Sequence, residues 1–226
     1  MTRLSVAGPR KIRPALEPVR DCPLCPRLVA YRRDNAIAHP DWFNGAVPSF
    51  GDLDARLLVV GLAPGLSGAN RTGRPFTGDF AGELLYATLS KFGFARGRYE
   101  ARADDGLELV DAMIANAVAC APPQNKPSPA EIRACRPFLA ARLGSLPRLK
   151  AIVALGRIAH DSTIAALGLA PKAAPFGHAA RHSAAQGLVL FDSYHCSRYN
   201  TNTGKLTAAM FEEVFGAARA HISQAP

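Results

Sequence analysis

Residues 57–79 read LLVVGLAPGLSGANRTGRPFTGD, and this stretch decides the fold class. Its first four residues, 57–60, are all apolar, which is typical of a buried strand that ends at Gly61. The loop over residues 61–82 contains six glycines and two prolines, a composition that excludes a helix and lets the backbone approach a ligand closely. Three further apolar runs predict strands of the same kind, at residues 113–118, 151–155 and 188–191.

Helices are predicted between and after these strands. Residues 82–94 place apolar side chains at helical spacing. Ser128 begins a second helix that runs to about residue 146, because S-P-A-E supplies a cap, a proline in the first turn and Glu131 to close a capping box. Two more helices are predicted, at residues 157–167 and 207–222.

Strands that alternate with helices predict an α/β fold, in which a central, mostly parallel four-stranded sheet is flanked by helices in three layers. Each of the four strands runs into a loop, and these loops concentrate glycine, proline, asparagine, aspartate and histidine. The carboxyl ends of parallel strands share one edge of the sheet, and ligands bind there. We therefore expect the four loops to form one binding crevice.

The composition describes a folded and strongly basic chain. Of its 226 residues 48% are apolar, which excludes extensive disorder, and no apolar run approaches the ~18 residues of a membrane span. The 27 basic and 18 acidic residues give a net charge of +9, which indicates either a polyanion partner such as nucleic acid or a solvated basic surface. We divide the chain into an irregular arm, residues 1–20, and one domain, residues 21–226.

The cysteines predict a metal site. The N-terminus carries no apolar core of the kind that a secretory signal requires, so we expect a cytoplasmic protein with reduced thiols. Cys22 and Cys25 form a C-x2-C pair, to which Cys120 and Cys135 would add two thiolates. Four thiolates hold either a tetrahedral zinc or an iron–sulfur cluster, and unrelated buried thiols are the alternative. Cys196 stands alone.

Two loops hold further candidates. Phe76 offers a face on which a planar base can stack. Asp79 either orients a water or hydroxyl, or caps the helix that follows. His195 comes after the strand at residues 188–191, so we expect it to face the crevice. The sequence patterns of nucleotide phosphate loops and of the serine-hydrolase elbow do not occur.

Four motifs, in this order along the chain, resemble family 5 of the uracil-DNA glycosylase superfamily, the type B iron–sulfur enzymes. They are C-P-L-C at residues 22–25, GLAPGLSGANRTGRPFTGD at 61–79, CAPPQNKP at 120–127 and HCSRYNTNTGKLT at 195–207. The resemblance implies the α/β fold derived above. It also implies a structural [4Fe-4S] cluster that helps to shape the DNA-binding surface, held by Cys22, Cys25, Cys120 and Cys135.

The resemblance assigns roles to single residues. Asn125 matches the residue that holds the nucleophilic water, and His195 matches the residue that donates toward a uracil oxygen. Asp79 lies where a carboxylate can assist electrostatically, and Phe76 matches the stacking aromatic. The remaining assignments are Ala63, Gly65 and Asn70 at the substrate, and Ser197, Arg198, Tyr199 and Asn200 at the DNA.

The implied function is that of a monofunctional glycosylase, which hydrolyses the N-glycosidic bond of uracil in DNA and leaves an abasic site for base excision repair. Hypoxanthine, xanthine and other deaminated bases are candidate further substrates, and we expect a monomer that acts on nucleoid DNA.

The chain departs from its relatives at three positions. Related families place an acidic or amide residue where this chain has Leu62 and Ala63, so catalysis would rest on positioning and leaving-group stabilisation. Cys196 replaces the usual proline. Two alternatives stay open, a non-catalytic iron–sulfur protein that binds lesions and a zinc-stabilised nucleotide-binding protein.

Overall fold

The computed structural model describes residues 16–224, so residues 1–15 of the arm predicted at residues 1–20 lie outside the described chain. The helices are α1 (Pro26–Ala38), α2 (Ala69–Thr72), α3 (Phe80–Lys91), α4 (Pro129–Ser145), α5 (Arg157–Ala166), α6 (Arg198–Asn202) and α7 (Ala208–Ser223). The strands are β1 (Phe50–Gly51), β2 (Leu57–Gly61), β3 (Ala95–Arg96), β4 (Glu108–Leu109), β5 (Ala112–Asn116), β6 (Ala151–Leu155), β7 (Arg181–Ser183) and β8 (Val189–Ser193). Single 3₁₀ turns lie at Pro123–Asn125, Pro171–Ala173 and Ala185–Gly187.

A six-stranded sheet forms the centre of the domain, in the order β1-β5-β2-β6-β8-β7. The four inner strands are parallel, and β1 and β7 pair antiparallel at the two edges. The chain leaves β2 for β5 on one side and then crosses to β6 and β8 on the other. In an α/β sheet, a ligand crevice opens at such a reversal. β3 and β4 form a separate two-stranded sheet.

Alternate residues of the inner strands pack on opposite faces of the sheet. Leu57 and Val59 belong to the core that α3 and α7 cover, whereas Leu58 and Val60 belong to the core on the side of α4 and α5. All four side chains are fully buried. Each such burial contributes roughly 1.5–3 kcal/mol, which explains why this strand reads as an unbroken apolar run.

The α/β class and the four parallel strands are confirmed, and β6 has the predicted bounds. The prediction of four strands is wrong for the whole sheet, which has six. The edge strands β1 and β7 have only two and three residues and no buried position, so no apolar run marks them. The helix α1 was not predicted because its few buried residues include Arg32 and Asn35, which give no apolar stripe.

Two local predictions change near the glycine-rich loop. The short helix α2 lies inside the loop that was predicted to exclude a helix, and Gly73 ends it after one turn with a left-handed φ of 80°. α3 begins at Phe80 rather than at residue 82, because Asp79 is its N-cap. The capping box of α4 is confirmed, since Ser128 and Glu131 each accept a hydrogen bond from the other's backbone N–H.

Candidate active site

A cavity of about 600 Å³ opens at the carboxyl edge of the sheet, where the loops after β2, β5 and β8 meet. Its lining is Leu62, Ala63, Pro64, Gly65, Ser67, Phe76, Gly78, Asp79, Phe80, Ala81, Asn116, Asn125, His195, Ser197 and Arg198. The predicted crevice is therefore present, but three of the four predicted loops line it, and the loop after β6 does not. Of the predicted site residues, it brings together three of the four substrate-side residues, all three catalytic candidates and two of the four DNA-side residues.

Phe76 forms one wall of the cavity and is only 7% exposed. Its backbone is left-handed, with a φ of 52°, which in a residue with a bulky side chain costs roughly 1–3 kcal/mol. The ring packs against the bare backbone of Gly61, where a Cβ would lie 2.6 Å from the ring. The ring centroid of Phe76 is 6.1 Å from that of His195, at an interplanar angle of 27°.

Asp79 caps the helix that follows it, which is one of its two predicted roles, and it also lines the cavity. Its Oδ1 accepts a hydrogen bond from the Gly82 N–H at 3.3 Å, which caps α3. The carboxylate also lines the cavity, close to the backbone of Gly65 and Gly68. Burial raises the pKa of Asp79, and the hydrogen bonds from the α3 backbone oppose that rise.

His195 reaches the cavity from the loop after β8. Burial lowers its pKa from 6.5 to about 4, so the imidazole is neutral at neutral pH and carries one N–H donor. The loop is held by Asn200, whose side-chain amide donates to the carbonyl oxygen of His195 at 2.8 Å. On the other side, a Cβ at Gly156 would lie 3.4 Å from the Cβ of His195.

Asn125 lines the cavity from an exposed turn. Gln124 and Asn125 both have left-handed backbones, with φ of 56° and 57°. Arg27 fixes the far end of this turn, because its guanidinium donates to the carbonyl oxygen of Lys126 at 3.0 Å and pairs with Glu131 at 2.7 Å.

The predicted DNA-contacting residues form the first turn of α6 and its cap. Ser197 is the N-cap, and Arg198 lies over the ring of Phe80 with 5.4 Å from its guanidinium carbon to the ring centroid. Tyr199 projects outward and is 74% exposed. The side-chain amide of Asn200 instead donates to the carbonyl oxygen of His195.

Asn70 lies away from the cavity lining. It is 2% exposed, and its amide nitrogen donates to Asn44 Oδ1 at 3.0 Å. This contact ties the glycine-rich loop to the segment after α1, so the structure gives Asn70 a supporting position rather than a place at the cavity surface.

Asn116 was missed by sequence reasoning. It is the last residue of β5 and lines the cavity beside Phe76 and Gly61. Within residues 16–224, its buried Oδ1 has no hydrogen-bond partner. A buried amide without a partner is costly unless a ligand completes it. The signal that the sequence offered was a polar residue at the carboxyl end of an otherwise apolar strand.

The four predicted metal ligands lie together. Cys22, Cys25, Cys120 and Cys135 line one small cavity beside α1 and α4. Arg32 Nη1 is 3.7 Å from Cys120 Sγ, and the Ala119 N–H donates to Cys135 Sγ at 3.3 Å. Burial raises the pKa of Cys120 to about 11 and that of Cys135 to about 12. A bound metal centre is what keeps such buried thiols as thiolates.

A second group of ligating side chains, His160, His182 and Asp192, is hydrogen-bonded. His160 Nδ1 and Asp192 Oδ1 are 2.7 Å apart, and His182 Nε2 and Asp192 Oδ2 are 3.0 Å apart. His160 Nε2 lies 2.9 Å from the carbonyl oxygen of Ala174. These contacts join α5, β7 and β8.

The comparisons with known proteins agree with this geometry. The sequence model of the Uracil DNA glycosylase superfamily matches residues 48–219. The chain belongs to this superfamily. It is 47% identical over 203 residues to the Type-5 uracil-DNA glycosylase of Thermus thermophilus, a match that covers 88% of this chain and 92% of that protein. The resemblance to family 5 is thereby confirmed.

Two further members of the superfamily match over shorter or more divergent stretches. The Type-5 uracil-DNA glycosylase of Pyrobaculum aerophilum is 39% identical over 204 residues, 88% of each chain. The Type-4 uracil-DNA glycosylase of the same organism is 35% identical over 153 residues, 67% of this chain and 64% of that protein. Across the described part of this chain, every helix is too short or too polar to span a bilayer.

Proposed function

We propose that this chain is a monofunctional DNA glycosylase that hydrolyses the N-glycosidic bond of uracil in DNA and leaves an abasic site. The observation that carries the proposal is the convergence of an aromatic wall, a buried amide oxygen without a partner and a neutral imidazole in one cavity. Membership of the superfamily supports the same function. Turnover is what separates this function from that of a non-catalytic lesion-binding protein.

Base recognition is assigned to Phe76 and Asn116. The base, once rotated out of the duplex, stacks on the Phe76 ring. The amide of Asn116 offers one acceptor and two donors, a set that complements the imide N–H and carbonyl groups on the edge of uracil. A purine or pyrimidine that keeps a carbonyl beside a ring N–H presents the same pattern, so hypoxanthine and xanthine are included as further substrates.

Stabilisation of the leaving base is assigned to His195. Cleavage of the bond to the sugar puts negative charge on the uracil oxygens, and a donor that is already in place stabilises that charge. A neutral imidazole carries one N–H that can donate to the base, and burial keeps His195 neutral. Ala63 and Gly65 add backbone N–H groups to the same wall.

Positioning of water is assigned to Asn125, with Asp79 as electrostatic support. Both side chains line the cavity, and Asn125 lies on a turn held by Arg27. A carboxylate beside the sugar stabilises the positive charge that develops there. With Leu62 and Ala63 at the start of the loop, the chain has no acidic residue at those positions, so the rate depends on placing the water.

DNA engagement is assigned to the start of α6 and to the net charge. Ser197 and Arg198 border the cavity, and Tyr199 projects into solvent where it can enter the duplex and occupy the space of the rotated base. The charge of +9 supplies attraction to phosphate. We include uracil-containing nucleoid DNA as the partner and a monomer as the active form.

The proposed cofactor is a structural [4Fe-4S] cluster held by the four cysteines that share one cavity. Bound there, the cluster would supply a cross-link between the chain segments that carry its ligands. Arg32 and the Ala119 N–H already donate toward two of the sulfurs, as hydrogen-bond donors that stabilise metal-bound thiolates do.

The testing experiment is excision from an end-labelled duplex that carries one uracil, in excess EDTA, with alkali to cleave abasic sites. We expect strand breakage at the uracil and none at thymine in the same position. His195→Ala protein, purified in parallel, should be much slower, which excludes a contaminating glycosylase. Binding without breakage by folded protein would contradict the proposal and favour the lesion-binding alternative.

A further inference from the structure

The backbone around Phe76 is held by a cluster of side chains outside the cavity. Phe76 keeps a left-handed φ of 52° although its ring forms a wall of the site. Such a conformation persists only where the surroundings over-determine it. The groups that surround it here come from α3 and from the segment between β3 and β4.

Tyr99 makes the contact closest to the strained residue. Its hydroxyl donates to the carbonyl oxygen of Phe76 at 3.1 Å and accepts from the N–H of Gly78 at 3.3 Å. One hydroxyl therefore bridges the two peptide groups that follow the Phe76 Cα. The bridge lies so close to α3 that a Cβ at Gly82 would be 2.5 Å from the Tyr99 oxygen.

Tyr99 is itself placed by a buried ion pair. Arg74 and Asp105 form two parallel hydrogen bonds of 2.7 Å each, and both side chains are almost fully buried. The Arg74 guanidinium lies over the rings of Tyr86 and Tyr99, which stack with centroids 4.6 Å apart. Asp105 also accepts from the N–H of Glu100, the residue after Tyr99.

We propose that Tyr99 is a positioning residue for the base platform: its hydroxyl fixes the Phe76 peptide, and through it the angle and depth at which the base stacks. The proposal rests on the function assigned to the cavity. Tyr99 does not line the cavity, so it acts through Phe76. Tyr86 lies in the same stack, but its hydroxyl donates to the Pro75 carbonyl, one peptide earlier.

The test compares Tyr99→Phe with Tyr86→Phe, since each removes one hydroxyl from the same pair of stacked rings. In single-turnover excision of uracil, we expect Tyr99→Phe to lower the maximal rate about tenfold, because the Phe76 peptide loses the hydrogen bond that fixes it. The DNA concentration that gives half the maximal rate should stay unchanged. Tyr86→Phe should lower thermal stability about as much as Tyr99→Phe does, but it should reduce the rate less than threefold.

A double-mutant cycle with Phe76→Ala tests the route of action. If Tyr99 acts through the ring, Tyr99→Phe adds nothing to the rate loss of Phe76→Ala. Additive losses would overturn the proposal, because Tyr99 would then act elsewhere, for example through Gly78 on Asp79. Equal rate losses in Tyr86→Phe and Tyr99→Phe would overturn it as well.

A crystal structure of the Tyr99→Phe variant gives a readout that does not depend on activity. We expect Phe76 to leave its left-handed conformation and the ring to shift relative to His195. An unchanged ring would refute the positioning role even if the wild type excises no uracil. A shifted ring in a protein that cleaves no uracil would instead show that the positioning is right and the assigned reaction is wrong.

Discussion

Replacing Gly61 with alanine tests whether the base platform depends on bare backbone at the end of β2. A methyl group at this position would lie 2.6 Å from Phe76 Cε2 and 2.7 Å from Cζ, and would also collide with Asn116 Oδ1. Ordinary contacts of a Cβ begin near 3.4 Å, so the ring must retreat by roughly 0.8 Å. Since Gly61 lies behind the ring, the retreat carries the ring into the cavity.

The expected result is a large loss of rate with little loss of DNA binding. A misplacement of about 1 Å in a positioned group costs about a hundredfold in rate, which corresponds to ~2.7 kcal/mol in the barrier. Affinity for DNA depends mainly on phosphate contacts made outside the cavity, so it should change by less than about threefold. Overpacking should also lower the free energy of unfolding by roughly 1–3 kcal/mol.

The assay is single-turnover excision of uracil, with DNA affinity measured by fluorescence anisotropy at the same salt concentration and folding checked by circular dichroism. Gly144→Ala is the matched control, because Gly144 lies in α4 and a Cβ there meets no atom within 4 Å. The control should keep the wild-type rate and gain stability, since alanine favours a helix over glycine by about 1 kcal/mol. A Gly61→Ala rate equal to that of the control would refute the steric reasoning.

Three further outcomes are expected. Asn116→Ala should lower the excision rate of uracil about tenfold or more, because a buried hydrogen bond to the base is lost; an unchanged single-turnover rate would exclude Asn116 from base recognition. Burial lowers the pKa of His195 from 6.5 to about 4, so the unfolded chain binds a proton more readily than the folded one between these values. Acidification through this window should therefore destabilise the wild type relative to His195→Asn by up to ~3 kcal/mol, as measured by urea unfolding, and parallel stability curves would contradict the assignment. Arg32→Leu removes the donors to Cys120 Sγ and to the Cys22 carbonyl, so absorbance near ~400 nm should bleach about tenfold faster with a chelator; equal bleaching would show that Arg32 does not support the cluster.

Prediction from sequence succeeded where the local signal and the tertiary environment coincide. β6 is buried along its whole length, so its apolar run and its bounds are the same five residues. The capping box at Ser128 is a contact within four residues, so the local sequence is enough to specify it. The crevice was predictable for a different reason, because parallel strands bring their carboxyl ends to one edge whatever the loops contain.

Prediction failed where the deciding contact is distant in sequence. Asn70 belongs to the most distinctive motif, yet its partner is Asn44, 26 positions earlier, and this contact draws it away from the cavity. Tyr99 lies in a segment without any motif, and only the folded chain brings its hydroxyl to the Phe76 peptide. Asn116 carried a signal, but a single asparagine in an apolar strand does not show which face of the strand it occupies.

The segment from β5 to the turn at Asn125 links the cysteine site to the cavity. Asn116 lies at one end of this segment, Asn125 lies at the other, and both reach the cavity, while Cys120 lies between them. Hydrogen bonds fix both flanks, since the Ala119 N–H donates to Cys135 Sγ and Arg27 holds the Lys126 carbonyl. The turn itself has left-handed backbone at two consecutive positions, which an isolated loop would not keep. An enzyme that relies on placing a water and a base needs such a segment to be rigid, so the proposed metal centre at Cys120 would serve catalysis by holding this segment in place.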